Sequence, residues 1–188
     1  GLTVSMADYQ AAPGGEAQVA EAEAPEDALL DATEGDDFIG VQVYTRMLMG
    51  PDGWLGPQPG VPVVPTMGYE YWPEALGACL RRTWARTGGR VPLIVTENGI
   101  ATTDASERIR FVDTALRSVL DCLDDGLDVR GYTYWSLLDN FEWAFGYGPR
   151  FGLVSVDRTT FARTPNDAYH WLAGVIAANA LPEEPSAS

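Results

Sequence analysis

The chain has 188 residues, 46% of them hydrophobic, and a formal net charge of −15 from 27 acidic and 12 basic side chains. That length and composition suit one domain with a sizeable core. So acidic a balance repels phosphate backbones and anionic lipid, which excludes nucleic acid and membrane surfaces as expected partners.

Residues 2–5 read as a strand already under way behind Gly1, so a chain cut from something longer is expected. A small-residue-rich, then acidic, stretch follows. Glu21, Glu23, Glu26, Asp27, Asp31, Glu34, Asp36 and Asp37 have no basic neighbour in it, which predicts a solvated acidic loop or helix, with a helical turn or short helix over 28–33. Residues 38–44 (Phe-Ile-Gly-Val-Gln-Val-Tyr) form the second strand candidate, with Gly40 allowing close packing. The Gly/Pro-rich excursion 50–65 predicts a long surface loop holding Trp54. Pro73 then opens a helix with Leu76, Cys79, Leu80 and Trp84 at helical spacing, stopped by Gly88-Gly89.

Residues 93–95 (Leu-Ile-Val) are too few for a helix and apolar enough for a buried parallel strand. Glu97 stands at its C-terminal end, before Asn98-Gly99, which reads as a turn. In barrels of parallel strands, chemistry is carried at C-terminal strand ends. A strand-end glutamate capping a loop accounts for these residues equally well. Asp104 and Glu107 resemble a capping box for a helix bearing Ile109, Val112, Leu116, Val119, Leu120 and Leu123 on one face and ending at Gly126. Residues 129–135 are the fourth strand candidate, and Thr164-Pro165 supplies an N-cap and first-turn proline for a last helix with Trp171, Leu172 and Val175. Strands alternating with helices predict an α/β fold with parallel strands.

The stretch 134–143, Tyr-Trp-Ser-Leu-Leu-Asp-Asn-Phe-Glu-Trp, is the second dense cluster. Sugars present apolar C–H faces and rings of hydroxyls, which Trp faces and carboxylate or amide acceptors match. A hydrophobic corner is the plainer alternative. No strand is followed by G-x-G-x-x-G or a phosphate-cradling loop, so no nucleotide cofactor is expected. Cys79 and Cys122 lack motif spacing and read as core thiols of a reducing, cytoplasmic protein, although a chain without its true start leaves secretion open. His170 alone makes no metal cluster, so no metal is expected.

Several of these pieces, in this order, resemble glycoside hydrolase family 1, the β-glucosidase family. They are Asp-Asp-Phe-Ile-Gly-Val-Gln-Val-Tyr-Thr-Arg, Met-Gly-Tyr-Glu-Tyr-Trp-Pro-Glu-Ala-Leu, Thr-Glu-Asn-Gly, Trp-Ser-Leu-Leu-Asp-Asn-Phe-Glu-Trp and Gly-Tyr-Gly-Pro-Arg-Phe-Gly-Leu-Val-Ser-Val-Asp. The resemblance spans residues 35 to 175. It implies a (β/α)₈ TIM barrel that cleaves β-glycosides with retention. Since a whole barrel needs about 250 residues, the chain is similar to the C-terminal half, strands five to eight. On that reading residues 1–180 are a partial glycosidase domain and 181–188 a disordered tail.

The resemblance makes Glu97 the nucleophile, acting with a protonated carboxyl about 5–5.5 Å away. It makes Glu142 and Trp143 the grip on the sugar's outer hydroxyls and face, and Trp135 the floor beneath it. Tyr44 becomes the hydroxyl that bonds the nucleophile's ionised form, Phe151 an aromatic lining the pocket, and Gln42 a departure from the family's usual Asn beside Glu97. A small β-glycoside is the implied partner, with oligomeric state left open. Glu142 would repel a phosphate and the loop through Gly148 holds no Lys, so a 6-phosphoglycoside is disfavoured.

The family's Thr-x-Asn-Glu-Pro acid/base segment is missing, as are its early sugar-binding Gln and His. Without general acid help, worth about 10²–10⁴-fold, the chain alone is expected to be inactive. A non-catalytic sugar-binding or degenerate barrel remnant is the alternative.

Overall fold

A computed structural model describes residues 1–183. In chain order it contains β1 (Leu2–Ala11), α1 (Glu16–Asp31), β2 (Ile39–Gly50), β3 (Gly53–Trp54), β4 (Val63–Val64), β5 (Tyr69–Glu70), α2 (Ala75–Thr87), β6 (Leu93–Asn98), α3 (Ala105–Asp124), β7 (Val129–Tyr134), β8 (Val154–Val156), β9 (Arg163–Pro165) and α4 (Asp167–Ala178). Strands β1, β2, β6 and β7 lie side by side in that order, each pair parallel and each crossover carrying a helix. The α/β parallel expectation is met. Among the described residues β1 and β7 are each paired along one side only.

Alternate strand residues face the helices and make the core. Val4, Met6, Ile39, Val41, Val43, Leu93 and Val95 are buried there against Leu76, Cys79 and Leu80 of α2 and Ala115, Val119 and Cys122 of α3. Because β1, β2, β6 and β7 are parallel, their C-terminal ends lie along one rim. Gly40 belongs to the opposite face, where an added Cβ would stand 2.4 Å from Thr3 Oγ1 and 3.0 Å from Thr96 Cγ2. Both cysteines are buried and unpaired.

The acidic stretch departs from its expectation. Its residues 16–31 form α1, and the bases that meet Glu23, Glu26, Asp27 and Asp31 come from α2, some 55 positions downstream. Arg82 meets Glu23 at 3.1 Å, Asp27 at 2.5 Å and also Glu26, while Arg86 meets Asp31 at 2.5 Å. Charges unpartnered in sequence are thus paired between neighbouring helices, and Glu26 is buried by the contact.

Helix ends show two further differences. Asp104 caps α3 by accepting from the Ser106 N–H at 2.8 Å, but its own N–H goes to Thr102 Oγ1 at 3.0 Å, so Thr102 takes the place given to Glu107. The last helix is capped by Asn166, whose Oδ1 accepts from the Tyr169 N–H at 3.1 Å, while Thr164 and Pro165 belong to β9. On α3 the buried face runs through Arg108, Phe111, Val112, Ala115, Val119 and Cys122, leaving Leu120 and Leu123 over 40% exposed. His170 is exposed with its ring edge-on to Tyr169. Of the tail, Pro182 is held by Arg117 at 2.9 Å and Leu181 is half-buried, and 184–188 lie outside the described residues. No helix among the described residues is long and apolar enough to cross a membrane.

Candidate active site

Strands β2 and β6 are parallel neighbours, and a register shift between Val41 and Gln42 sets Gln42 directly beside Glu97. Tyr44 follows two residues on and so shares a strand face with Gln42. The consequence is a carboxylate held by both oxygens. Gln42 Nε2 donates to Glu97 Oε1 at 2.8 Å, and the Tyr44 hydroxyl donates to Oε2 at 2.6 Å. Glu97 therefore cannot rotate freely, and its orientation comes from a neighbouring strand. Burial, then the bond to Glu97 and its charge, push the Tyr44 phenol far above its ordinary range, so Tyr44 acts as a donor and never as a base.

Asn98-Gly99 does not form the expected turn. Asn98 is the buried last residue of β6, donating from Nδ2 to the Val43 carbonyl at 2.8 Å and accepting from the Tyr132 hydroxyl at 2.9 Å. Gly99 is required for a close approach: an added Cβ would stand 2.0 Å from the Trp135 carbonyl oxygen. The Trp135 N–H completes the contact with the Asn98 carbonyl at 2.9 Å, which fixes the indole beside Glu97.

The loop after β7 is pinned by the polar residues inside the aromatic cluster. Asp139 accepts from the Gly152 N–H and from Arg150 Nη1, both at 3.0 Å, and Asn140 Nδ2 bonds Ser136 Oγ at 3.1 Å. These two residues shape the loop that carries Glu142 and Trp143. From behind, the buried Arg108 donates to the Tyr134 hydroxyl at 2.9 Å, to the Arg150 carbonyl at 2.6 Å and to the Thr102 carbonyl. Sequence reasoning missed it because an Arg on a helix ordinarily reads as a solvated position.

All seven expected site residues meet in one pocket of about 420 Å³: Gln42, Tyr44, Glu97, Trp135, Glu142, Trp143 and Phe151. Phe151 is buried and meets the Tyr44 ring edge-on at 5.9 Å, while Trp143 is 81% exposed. Burial and then the charge of Glu97 raise the Glu142 carboxyl, against a lowering hydrogen bond from the Trp135 side chain. Ser5, Met67 and Tyr69 complete the lining and were not anticipated. Met67 and Tyr69 arrive with the β4–β5 hairpin, whose place beside Glu97 only the tertiary path reveals. Among the described residues no group of three or more His, Cys, Asp or Glu side chains could hold a metal ion.

A parallel β/α sheet with an anchored carboxylate at a strand end, faced by a second carboxylate and two indoles, is the kind of site that carbohydrate-cleaving enzymes use. The chain belongs to glycosyl hydrolase family 1, whose model matches residues 56–181. It is 36% identical over 160 residues to the thermostable beta-glucosidase B of Thermobispora bispora, covering 77% of this chain and 34% of that protein. It is 41% identical over 124 residues to a bifunctional beta-D-glucosidase/beta-D-fucosidase of Bifidobacterium breve, covering 59% and 27%. The crystal structure of beta-glycosidase BGL167 superimposes with a TM-score of 0.89 at 44% identity, over 99% of this chain and 44% of that one. The chain thus spans about a third of the curated relatives' length, and its structural neighbours are TIM-barrel β-glycosidases.

Proposed function

We propose that this chain supplies strands five to eight of a retaining β-glycosidase barrel, with Glu97 as nucleophile. The observation that carries the reading is the double anchoring of Glu97 by Gln42 and Tyr44 in a pocket that Trp135 and Glu142 share. A merely sugar-binding remnant has no use for so constrained a carboxylate. The partial coverage of its relatives, the one-sided pairing of β1 and β7, and an apolar groove of about 550 Å³ beside β7 support a barrel completed by further strands. The relatives' names support β-glucosides as substrates, with tolerance for fucosides or galactosides.

In the first step Glu97 attacks the anomeric carbon, and the bond to the leaving oxygen breaks as an acid outside these residues protonates it. The product is an α-linked glycosyl ester on Glu97. Water then attacks the same carbon, deprotonated by the same group, and the ester carboxylate leaves. Two inversions give net retention. Trp135 and Trp143 offer apolar faces to the ring, and Glu142 accepts from its hydroxyls. The chain alone, lacking the acid, does not hydrolyse unactivated glycosides.

The test is stereochemical. With strands one to four of a family barrel supplied, proton NMR of a β-glucoside digest should show the β-anomer as the first sugar released. An α-anomer appearing first overturns the reading.

A further inference from the structure

The buried face of α3 carries a cation into the interior. Arg108 stands three and four positions before Phe111 and Val112, so helical spacing turns its side chain inward with theirs. It is 2% exposed, yet every partner it has is neutral: the Tyr134 hydroxyl and the carbonyls of Thr102 and Arg150. Among the described residues no carboxylate forms an ion pair with its guanidinium. A buried cation without a counter-charge is costly, and neutral oxygens offset only part of that cost.

The same guanidinium has capacity to spare. Its Nε and Nη2 are engaged, whereas Nη1 makes no hydrogen bond among the described residues. The unbonded side-chain atoms that are sealed from solvent belong to Tyr69, Thr96 and Glu142, so Arg108 Nη1 opens onto free space. That space is a cavity of about 510 Å³, which Arg108 lines together with Thr102, Thr103, Arg150 and Ala162.

Asp139 and Asp157 border it too, so its two arginines and two carboxylates leave the wall without net charge. The free groups are unevenly divided. Both Asp139 oxygens are engaged, Oδ1 by the Gly152 N–H and Oδ2 by Arg150 Nη1, each at 3.0 Å. Asp157 Oδ1 holds its own turn through the Thr159 and Thr160 N–H groups and the Thr160 hydroxyl. Arg150, in contrast, keeps Nε and Nη2 unbonded among the described residues. Free N–H donors on two guanidiniums call for a ligand rich in acceptor oxygens, and the unpaired charge of Arg108 calls for an anion.

We propose that this cavity binds a small tetrahedral oxyanion (sulfate, phosphate, or the phosphate group of an ester) between Arg108 Nη1 and the free donors of Arg150. The net charge of −15 opposes an anion at long range, but at physiological ionic strength such a field is screened beyond about 8 Å, so the short contacts decide. Occupancy gives the buried guanidinium its counter-charge. It also ties the loop after β6, which holds Thr102 and Thr103, to Arg150, the neighbour of Phe151 in the Glu97 pocket. The site uses nothing of Glu97, so it stands or falls apart from the glycosidase reading.

NMR titration of the full chain with sulfate, inorganic phosphate and methyl phosphate, each against chloride at equal ionic strength, tests this. The amides of Thr102, Thr103, Gly152 and Ser155 should shift saturably with the oxyanions, with a Kd of about 1 mM, as two charge-assisted hydrogen bonds allow. Tighter binding of phosphate assigns the site to the free ion, and tighter binding of methyl phosphate to an ester. Ala162 and Thr103 are exposed positions on the cavity wall, so Ala162→Glu and Thr103→Glu each place a carboxylate there without disturbing the core. Each should weaken oxyanion binding at least about tenfold. Equal shifts with chloride, shifts that never saturate, or an affinity unchanged in either variant overturn the inference.

Discussion

Glu97→Ala should abolish β-glycoside turnover in the completed barrel, lowering kcat by at least about 10⁴-fold, as loss of a covalent nucleophile does. Added azide should restore turnover on a glycoside with a good leaving group and release the α-glycosyl azide. The reasoning is geometric. Glu97 stands where its oxygens are aimed by Gln42 at 2.8 Å and by Tyr44 at 2.6 Å, and removing the side chain opens a small anionic vacancy on that face of the sugar. An anion entering there attacks once, so the single displacement inverts. Tyr44 and Gln42 remain as donors to hold it. Recovery of a β-azide would place the nucleophile elsewhere, and no recovery would leave Glu97 without its assigned role.

Glu142→Ser should lower kcat/KM for a neutral β-glucoside by about 10²–10³-fold, the worth of one or two hydrogen bonds to a charged group. Folding should not suffer. The Glu142 carboxyl is raised chiefly by burial and then by the Glu97 charge, so the native state holds its proton more firmly than the unfolded chain does. For such a group, ionisation costs stability once the pH rises above the ordinary carboxylate range. The serine variant should therefore melt at or slightly above the parent at pH 7, and that difference should vanish as the pH falls through that range. Melting curves at neutral and acidic pH check the sign. A large loss of stability with kcat/KM unchanged would make Glu142 a packing residue.

The parts of this site that could be read in advance are those whose partners lie close together in sequence or at regular spacing. Glu97 was marked by the strand before it, whereas Gln42, Tyr44 and Phe151 were marked only by the resemblance of their segments to glycoside hydrolase family 1. The dense stretch 134–143 carried Trp135, Glu142 and Trp143 in ten residues. What escaped was set by long-range geometry. The α1 acids find Arg82 and Arg86 only because two helices pack side by side. Arg108 is buried where the Tyr134 hydroxyl at the end of β7 and the carbonyls of Thr102 and Arg150 in two loops converge on it. Tyr69 enters the pocket on a two-residue strand whose register depends on a clamp to Arg46. Asn98-Gly99 misled for a related reason. Its composition suits a turn, whereas the space available beside the Trp135 carbonyl is what demands glycine.

The proposal that Glu97 bonds covalently to the sugar can be measured on the full chain with a substrate that needs no general acid. A 2,4-dinitrophenyl 2-deoxy-2-fluoro-β-glucoside carries a leaving group that needs no protonation, and its fluorine slows release of the ester. Intact-mass analysis should show one glycosyl adduct, and peptide mapping should place it on Glu97, with none on the Glu97→Ala variant. An adduct on another residue, or none on a chain shown to bind deoxynojirimycin, would contradict the account.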